Sequence, residues 1–163
     1  MLALRSLLFA LLIPGTTVVL VPRWILSRSG RSANHSRPMQ FIGILAIAVG
    51  SSILVWCIWD FARKGRGTLA PVDPPRQLVV QGLYRYVRNP MYVGALLAIF
   101  GQAAFFGSSN LLWYALAFFV WVHLFVVFYE EPALRRRFGS SYENYCLTVH
   151  RWMPTRQESS VRP

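Results

Sequence analysis

Acidic residues are scarce in this sequence: six Asp and Glu stand against 17 Lys and Arg among 163 residues, which gives a formal net charge of +11. Charged residues of both signs make up only 14% of the chain, and 55% of it is hydrophobic. An ordinary water-soluble domain has about a quarter of its residues charged, and a disordered tail or a collagen-like fibre is far less apolar. The composition therefore excludes all three classes.

Cysteine is almost absent as well. Cys57 lies inside an apolar stretch and Cys146 lies near the end of the chain, so neither position suggests a disulfide framework. The three histidines, His35, His123 and His150, are equally dispersed, and no cluster with the ligand spacing of a zinc site occurs. The sequence predicts no metal site.

Three long stretches carry no Lys, Arg, Asp or Glu: residues 6–22, 38–59 and 89–129, which are 17, 22 and 41 residues long. An uncharged apolar stretch of about 18 or more residues is a candidate transmembrane helix. The basic residues flank these stretches, as membrane topology alone would require, so the positive charge does not indicate nucleic-acid binding. We therefore expect a small integral membrane protein whose partners include membrane lipids and not nucleic acids.

The longest uncharged stretch exceeds one membrane crossing and contains a turn-type Gly-Ser-Ser-Asn cluster at 107–110. It is predicted to fold as a hairpin with arms 91–106 and 111–129. The predicted fold class is an all-α integral membrane protein with four transmembrane helices, the last two a tight hairpin, plus an interfacial C-terminal amphipathic helix. We expect one domain over 1–163, composed of two N-terminal helices (1–61), a cytosolic connector (62–88), the hairpin (89–129) and a cytosolic tail (130–163).

Local residues set the finer boundaries. The first helix is expected over 2–26 and the second over 39–61, and the third begins at Asn89-Pro90, because Asn caps helices and Pro suits the first helical position. The tail is predicted to break at Gly139, where Ser140 and Glu143 have the spacing of a capping box. An apolar stripe with helical spacing is expected to face the membrane interface: Phe138, Tyr142, Tyr145, Val149 and Trp152.

Lys and Arg are unevenly divided between the two sides of a four-helix arrangement. The side that holds the N-terminus, the connector and the tail carries 13 of them, and the first loop carries four. Because the cytoplasmic side of a membrane protein is enriched in Lys and Arg, both termini are predicted to be cytoplasmic.

Hairpin geometry brings two polar clusters together. If the turn is centred between residues 108 and 109, Glu130 and Glu131 lie level with the segment just before Asn89, beside Arg88. Ionisable residues at such a depth are candidates for function. The alternative, that Arg88 and the two glutamates are only salt-bridged interface anchors, stays open.

The residues of these clusters suit one kind of ligand. A helix N-terminus with an Asn cap favours an anionic group such as a carboxylate, and carboxylates opposite it favour an ammonium group or ribose hydroxyls. Tyrosine faces can hold a cation or a flat base, and three tyrosines are available: Tyr84, Tyr86 and Tyr92. S-adenosylmethionine combines all of these groups.

Two motifs carry a resemblance to a known family. They are GLYRYVRNPMYVG over 82–94, and Glu130-Glu131 followed by Leu134, Phe138-Gly139, Tyr142, Tyr145 and Pro154. Over about residues 76–154 the chain resembles the isoprenylcysteine carboxyl methyltransferase family, and the related phospholipid N-methyltransferases carry a similar Asn-Pro-Met-Tyr and Glu-Glu-Pro. The first two helices show no such signature.

This resemblance implies a membrane methyltransferase that holds S-adenosylmethionine on the cytosolic side. Two positions depart from the family: Asn89 stands where eukaryotic carboxyl methyltransferases have His, and Val126 stands where the family has a substrate-binding Arg, four residues before the first Glu. The Asn amide can donate to a cofactor carboxylate but cannot titrate, and the Val counts against a prenylcysteine substrate unless an arginine of the tail substitutes. The family's cofactor contacts correspond to Leu78, Val79, Tyr84, Asn89, Pro90, Met91, Tyr92 and Glu130.

The favoured reaction is carboxyl O-methylation of an isoprenylcysteine-like substrate that enters from the bilayer. Three alternatives remain: N-methylation of a phospholipid such as phosphatidylethanolamine, a non-catalytic membrane adaptor with the same fold, and a small transporter, whose mid-membrane polar residues would be Gln102 and His123. Glu131 and Arg88 are the candidate catalytic residues, and Glu131 would be the base for an amine acceptor. His123 lies about two turns inside Glu130, where it either lines the acceptor tunnel as a substrate residue or packs as a hydrogen-bonded side chain.

Overall fold

A computed structural model describes residue 12 and residues 14–29, 36–64, 78 and 80–155, and all regular structure in these ranges is helical. The predicted all-α class is therefore confirmed for these residues. The elements are, in chain order, a π-helical turn (Thr16–Leu20), α1 (Val21–Ser29), α2 (Arg37–Lys64), a 3-10 turn (Gly82–Arg85), α3 (Pro90–Phe106), α4 (Ser109–Phe125), a second π-helical turn (Val126–Glu130), α5 (Glu131–Phe138) and α6 (Ser140–Thr148).

Two helices in the described ranges are long and apolar enough to cross a membrane, Arg37–Asp60 and Ser109–Phe138, and the second joins α4, a π turn and α5. Only 22% of the most apolar window of each is buried inside the protein, so most of these side chains face outward. α3 has 17 residues and spans about 25 Å, less than the ~30 Å hydrocarbon core. The four-span arrangement remains a prediction, since much of the expected first helix lies outside the described residues.

The hairpin has the turn that the sequence predicts. Gly107 ends α3 in a left-handed conformation with a φ of 53°, which glycine adopts without a steric penalty. Ser108 then caps α4, because its side chain accepts a hydrogen bond from Leu111 N at 3.3 Å. The predicted start of α3 is confirmed as well, whereas α2 covers Arg37–Lys64 and is longer than the predicted 39–61.

Each π-helical turn ends two residues before a proline: Thr16–Leu20 before Pro22 and Val126–Glu130 before Pro132. Proline has no backbone N–H, and its ring crowds the carbonyl one turn earlier. The wider π turn is where the helix accommodates this conflict. The second arm of the hairpin therefore does not end at residue 129, as predicted, but continues as one helix to Phe138.

The carbonyls that lack a donor near Pro22 are bound by side chains of the hairpin. Gln102 Nε2 donates to Val18 O at 2.9 Å, and the Tyr114 hydroxyl donates to Thr17 O at 2.9 Å. A carbonyl without a partner at membrane depth costs several kcal/mol, so these bonds hold the first helix against α3 and α4. Gln102, a residue that the transporter alternative would need, is thus engaged in packing.

Paired glycines let α2 and α3 pack closely. A Cβ built on Gly50 would lie 2.6 Å from both Ala98 N and Gly94 O, and one built on Gly101 would lie 2.8 Å from Gly43 O. The glycines repeat every seven residues on each helix, which suits a shallow antiparallel crossing. This contact sets the end of α2 beside the start of α3, where the polar clusters lie.

Candidate active site

The two polar clusters meet at one end of the hairpin, as its geometry predicts. Arg88 Nη1 lies 3.0 Å from Glu131 Oε1, and the Tyr92 hydroxyl donates to Glu130 Oε2 at 3.4 Å. The fold thus joins residues that are 43 and 38 positions apart in the chain.

Glu131 is held by two arginines and is only 5% exposed. Oε1 accepts from Arg88 Nη1 at 3.0 Å and from Arg151 Nε at 2.6 Å, and Oε2 accepts from Arg151 Nη2 at 2.9 Å. The hydrogen bonds to this carboxylate raise the pKa of Arg151, so its guanidinium stays charged. A general base needs an oxygen that can reach the acceptor proton, and both oxygens already accept hydrogen bonds from guanidinium groups. The geometry favours the anchor alternative for Glu131 and Arg88.

Residues 149–155, which we name the C-terminal strap, lie against the start of α3. The strap pairs with the connector through its backbone, since Arg88 N donates to His150 O at 2.9 Å and Thr155 N donates to Tyr86 O at 2.8 Å. Arg88 also donates to Cys146 Sγ at 2.9 Å, so it joins the strap, α6 and Glu131. The stripe residues Val149 and Trp152 and the motif residue Pro154 lie in the strap, but none of them predicts its pairing with the connector.

Asn89 occupies the N-cap position of α3, as predicted, but its side chain does not cap the helix. Nδ2 donates instead to Arg151 O at 3.3 Å, because the strap places a carbonyl beside it. The backbone N–H groups in the first turn of α3 are therefore not taken by this side chain. Such a helix start suits an anionic group of a ligand.

The apolar stripe of the tail faces inward, and the prediction that it faces the membrane interface is wrong. The Tyr145 hydroxyl donates to Tyr84 O at 2.6 Å, and burial raises the pKa of Tyr145 to about 12. The predicted capping box is also absent, because Gly139 and not Ser140 is the N-cap residue of α6. The stripe instead packs α6 against the connector and α5. The cluster consists of Tyr142, Tyr145 and Val149 with Leu78, Leu134 and Phe138.

Glu130 has different surroundings from Glu131. It makes no ion pair with any residue that the structure describes, and its hydrogen bond goes to Tyr92. Burial raises the pKa of Tyr84 well above its ordinary value, and the Cys57 thiol and the Glu130 carboxylate add to this shift. Tyr84 and Tyr92 therefore stand beside a carboxylate that is outside the Glu131 ion pairs, an arrangement that can bind a cation or hydroxyl groups.

The other predicted cofactor residues take different places. Pro90 is fully buried, and Met91 packs against the core cluster that includes Leu54 and Ile99, so both side chains serve packing. Leu78 packs in the cluster of the α6 stripe. Val79 lies outside the described residues.

His123 and Val126 are the residues that the sequence links to the acceptor. Both lie on the continuous helix Ser109–Phe138, which we call the long helix. Trp152 Nε1 donates to His123 Nδ1 at 3.2 Å, so the hydrogen-bonded alternative describes His123, which is still half-buried. Val126, in the position of the family's substrate-binding Arg, is 1% exposed. It offers neither a charge nor an accessible surface to a carboxylate.

Asp60 joins the site, although no motif points to it. A Cβ built on Gly82 would lie 3.0 Å from Asp60 Oδ2, and Gly82 has a φ of 63°, so glycine lets the connector approach the end of α2. The signal available in the sequence is its position, directly after the uncharged stretch 38–59.

Comparison with known proteins identifies the class. The model of the phospholipid methyltransferase family matches residues 39–141, a range that contains both polar clusters and more than half of the chain. The chain therefore belongs to this family of membrane methyltransferases, and the resemblance predicted from the motifs is confirmed.

Two curated rice proteins, one from Oryza sativa subsp. indica and one from subsp. japonica, are each described as a probable protein-S-isoprenylcysteine O-methyltransferase. Each is 25% identical to the chain over 118 residues, which cover 71% of this chain. The chain spans 61% of the length of these relatives. No solved structure matches it.

Proposed function

We propose that this protein transfers a methyl group from S-adenosylmethionine to a lipophilic acceptor at a membrane interface. The observation that carries the proposal is the juxtaposition of Glu130 with Tyr92 at the start of α3, 3.4 Å apart. The family supports methyl transfer, and S-adenosylmethionine as the donor follows from the family resemblance.

The chemistry of this site fits the charges of the cofactor. The first turn of α3 would bind its carboxylate, and Glu130 would bind its ammonium group or ribose hydroxyls. Tyr84 and Tyr92 would offer aromatic faces to the sulfonium or the adenine. When bound, the cofactor supplies a methyl group on a positively charged sulfur, and the residues of this chain position the partners and exclude water.

Two kinds of acceptor are candidates, a carboxylate and an amine, and the charges of the site bear on the choice between them. The names of the rice relatives support carboxyl O-methylation of an isoprenylcysteine-like substrate. That acceptor would need a cation, and Arg88 and Arg151 are already bound to Glu131 while Val126 is buried and neutral. The Glu130 carboxylate would repel the carboxylate of such a substrate.

An amine acceptor, such as the headgroup of phosphatidylethanolamine, suits the same charges better. Its ammonium is attracted by Glu130, and it must lose a proton before or during transfer. Both oxygens of Glu131 already accept hydrogen bonds from guanidinium groups, so the carboxylate that would assist is Glu130, through the oxygen that does not bind the cofactor. The geometry therefore favours N-methylation over the carboxyl O-methylation favoured by the motifs.

Purified protein in phosphatidylcholine nanodiscs, given cofactor with a labelled methyl group, tests both reactions. Phosphatidylethanolamine and an N-acetylated S-prenylcysteine are supplied separately, and we expect label in the first. Glu130→Gln should abolish cofactor binding, while Glu143→Gln on the exposed face of α6 is the matched control. Cofactor binding without transfer to either lipid would leave the adaptor alternative, and absence of both would refute the proposal.

We also propose a multi-pass arrangement with both termini and the cofactor site on the cytoplasmic side. Arg135, Arg136 and Arg137 are exposed near the end of the long helix, where anionic headgroups would bind them at about 1 kcal/mol each. Reporter domains that are active on one side of the membrane, fused to either end of the chain, should both report the cytoplasm. A report of opposite sides for the two ends would exclude an even number of spans.

A further inference from the structure

The C-terminal strap places an indole against the long membrane helix. Trp152 Nε1 donates to His123 Nδ1 at 3.2 Å. Phe119 completes a group of three rings, with centroids 5.6 Å from Trp152 and 6.0 Å from His123, and Trp152 and His123 are also 6.0 Å apart. The imidazole is therefore held both by a hydrogen bond and by two aromatic neighbours.

This hydrogen bond determines which nitrogen of the imidazole carries the proton. An indole N–H can only donate, so Nδ1 must be the unprotonated nitrogen that accepts. In the neutral ring, the single proton then resides on Nε2. His123 is thus held as a neutral donor, and it is not poised as a base through Nε2.

Nε2 has no hydrogen-bond partner among the described residues. The described residues also do not bury this atom completely. His123 lies within the candidate span Ser109–Phe138. A donor at this depth without a partner is costly, because lipid tails offer no acceptor. The half-buried ring edge therefore requires an acceptor oxygen that none of the described residues supplies.

We propose that His123 and Trp152 form a binding subsite for the lipophilic acceptor, in which His123 Nε2–H donates to a carbonyl, carboxylate or phosphate oxygen of that lipid. Trp152 is a positioning residue that fixes the tautomer. His123 lies seven residues before Glu130 on the same helix, about 10 Å along its axis, so an oxygen bound here and a reacting headgroup at Glu130 can belong to one molecule. The identity of the ligand as the methyl acceptor rests on the proposed function, whereas the tautomer does not.

Nitrogen-15 NMR of the full chain, labelled at histidine and held in alkyl maltoside micelles, which have no carbonyl, carboxylate or phosphate oxygen, tests the subsite without any catalysis. The His123 signals are assigned by their loss in His123→Gln. We expect the Nε2–H tautomer in the wild type and a mixture of both tautomers in Trp152→Phe, which keeps the aromatic contact with Phe119 but removes the donor. Trp113→Phe, at an exposed position of α4, should change nothing.

Addition of phosphatidylethanolamine or of an N-acetylated S-prenylcysteine to these micelles should shift the Nε2 signal for the lipid that binds. A wild-type ring protonated on Nδ1, or a signal that neither lipid shifts, would overturn the proposal. If a lipid shifts the signal but no methyl transfer occurs, the subsite stands and the proposed function fails.

Kinetics provide the second measurement where transfer is found. Trp152→Phe and His123→Phe should raise the KM for the acceptor roughly 3- to 10-fold, the effect of one lost neutral hydrogen bond, with the KM for the cofactor unchanged. His123→Gln, whose amide can donate from nearly the place of Nε2, should recover most of the loss. A His123→Phe enzyme with an unchanged KM for the acceptor would count against the subsite.

Discussion

Replacement of Glu131 and of Glu130 by glutamine should separate an anchor from a ligand-binding residue. Glu131→Gln keeps the size of the side chain but leaves the guanidiniums of Arg88 and Arg151, which are 13% and 29% exposed, without a counter-charge. Loss of one partner of a buried ion pair costs about 3–5 kcal/mol. Because Arg151 is partly exposed and can turn toward water, we expect the lower end, about 3 kcal/mol.

A loss of about 3 kcal/mol corresponds to a fall in Tm of roughly 6–12 °C for a chain of this size. Glu130→Gln keeps an oxygen that can accept from Tyr92, so it weakens at most one long hydrogen bond and should lower the stability by less than about 1 kcal/mol. It should nevertheless abolish cofactor binding.

The assay pairs thermal unfolding in nanodiscs with calorimetric titration of S-adenosylmethionine. Glu143→Gln, on the exposed side of α6, controls for the loss of one negative charge. A Glu131→Gln protein with a wild-type Tm and no activity would refute the reasoning, because Glu131 would then act in the chemistry and not in the fold.

Three further changes test the packing around the site. Gly50→Leu should prevent accumulation of folded protein, because even a Cβ would lie 2.6 Å from the backbone of α3. Gly15→Ala is the control, since nothing lies within 4 Å of the added Cβ, and it should elute like the wild type in size-exclusion chromatography. Gln102→Leu should cost about 1–3 kcal/mol in thermal unfolding, since it leaves a carbonyl of the first helix without a donor. Tyr145→Phe should cost about 1 kcal/mol, because it loses the 2.6 Å bond to Tyr84 O. The folded pKa of Tyr145, about 12, lies above the ordinary 10.0, so its contribution should persist below about pH 10 and be lost as the pH rises toward 12, as measured by unfolding at increasing pH.

The residues of the hairpin turn made the hairpin predictable from the sequence. Gly107 and Ser108 form the break of the hairpin because a left-handed glycine and a serine cap leave few alternatives for the backbone. Once that turn is fixed, two arms of similar length must bring Arg88 and Glu131 to the same level. The convergence of the polar clusters is therefore readable from sequence, because it depends on local geometry and on counting.

Choices between competing partners could not be predicted. Asn89 has the residue type and position of a helix cap, yet its amide binds a strap carbonyl that only the folded tail supplies. The stripe through Tyr142 and Tyr145 has the spacing of an interfacial helix, but spacing does not say whether a membrane or another segment covers it. Pro132 indicates a helix boundary, whereas a π turn lets the helix continue through it.

The positions of the arginines link the choice of acceptor to the strap. Arg88 and Arg151 hold Glu131, and Arg151 is itself part of the strap whose carbonyl binds Asn89. A carboxylate acceptor could recruit Arg88 or Arg151 only by opening the pair with Glu131, which would loosen the segment that covers the start of α3. An amine acceptor needs no such opening, since Glu130 is already outside the ion pairs of the described site. Carboxyl methylation that uses Arg88 or Arg151 would therefore require movement of the strap in each cycle, and amine methylation would leave the strap closed.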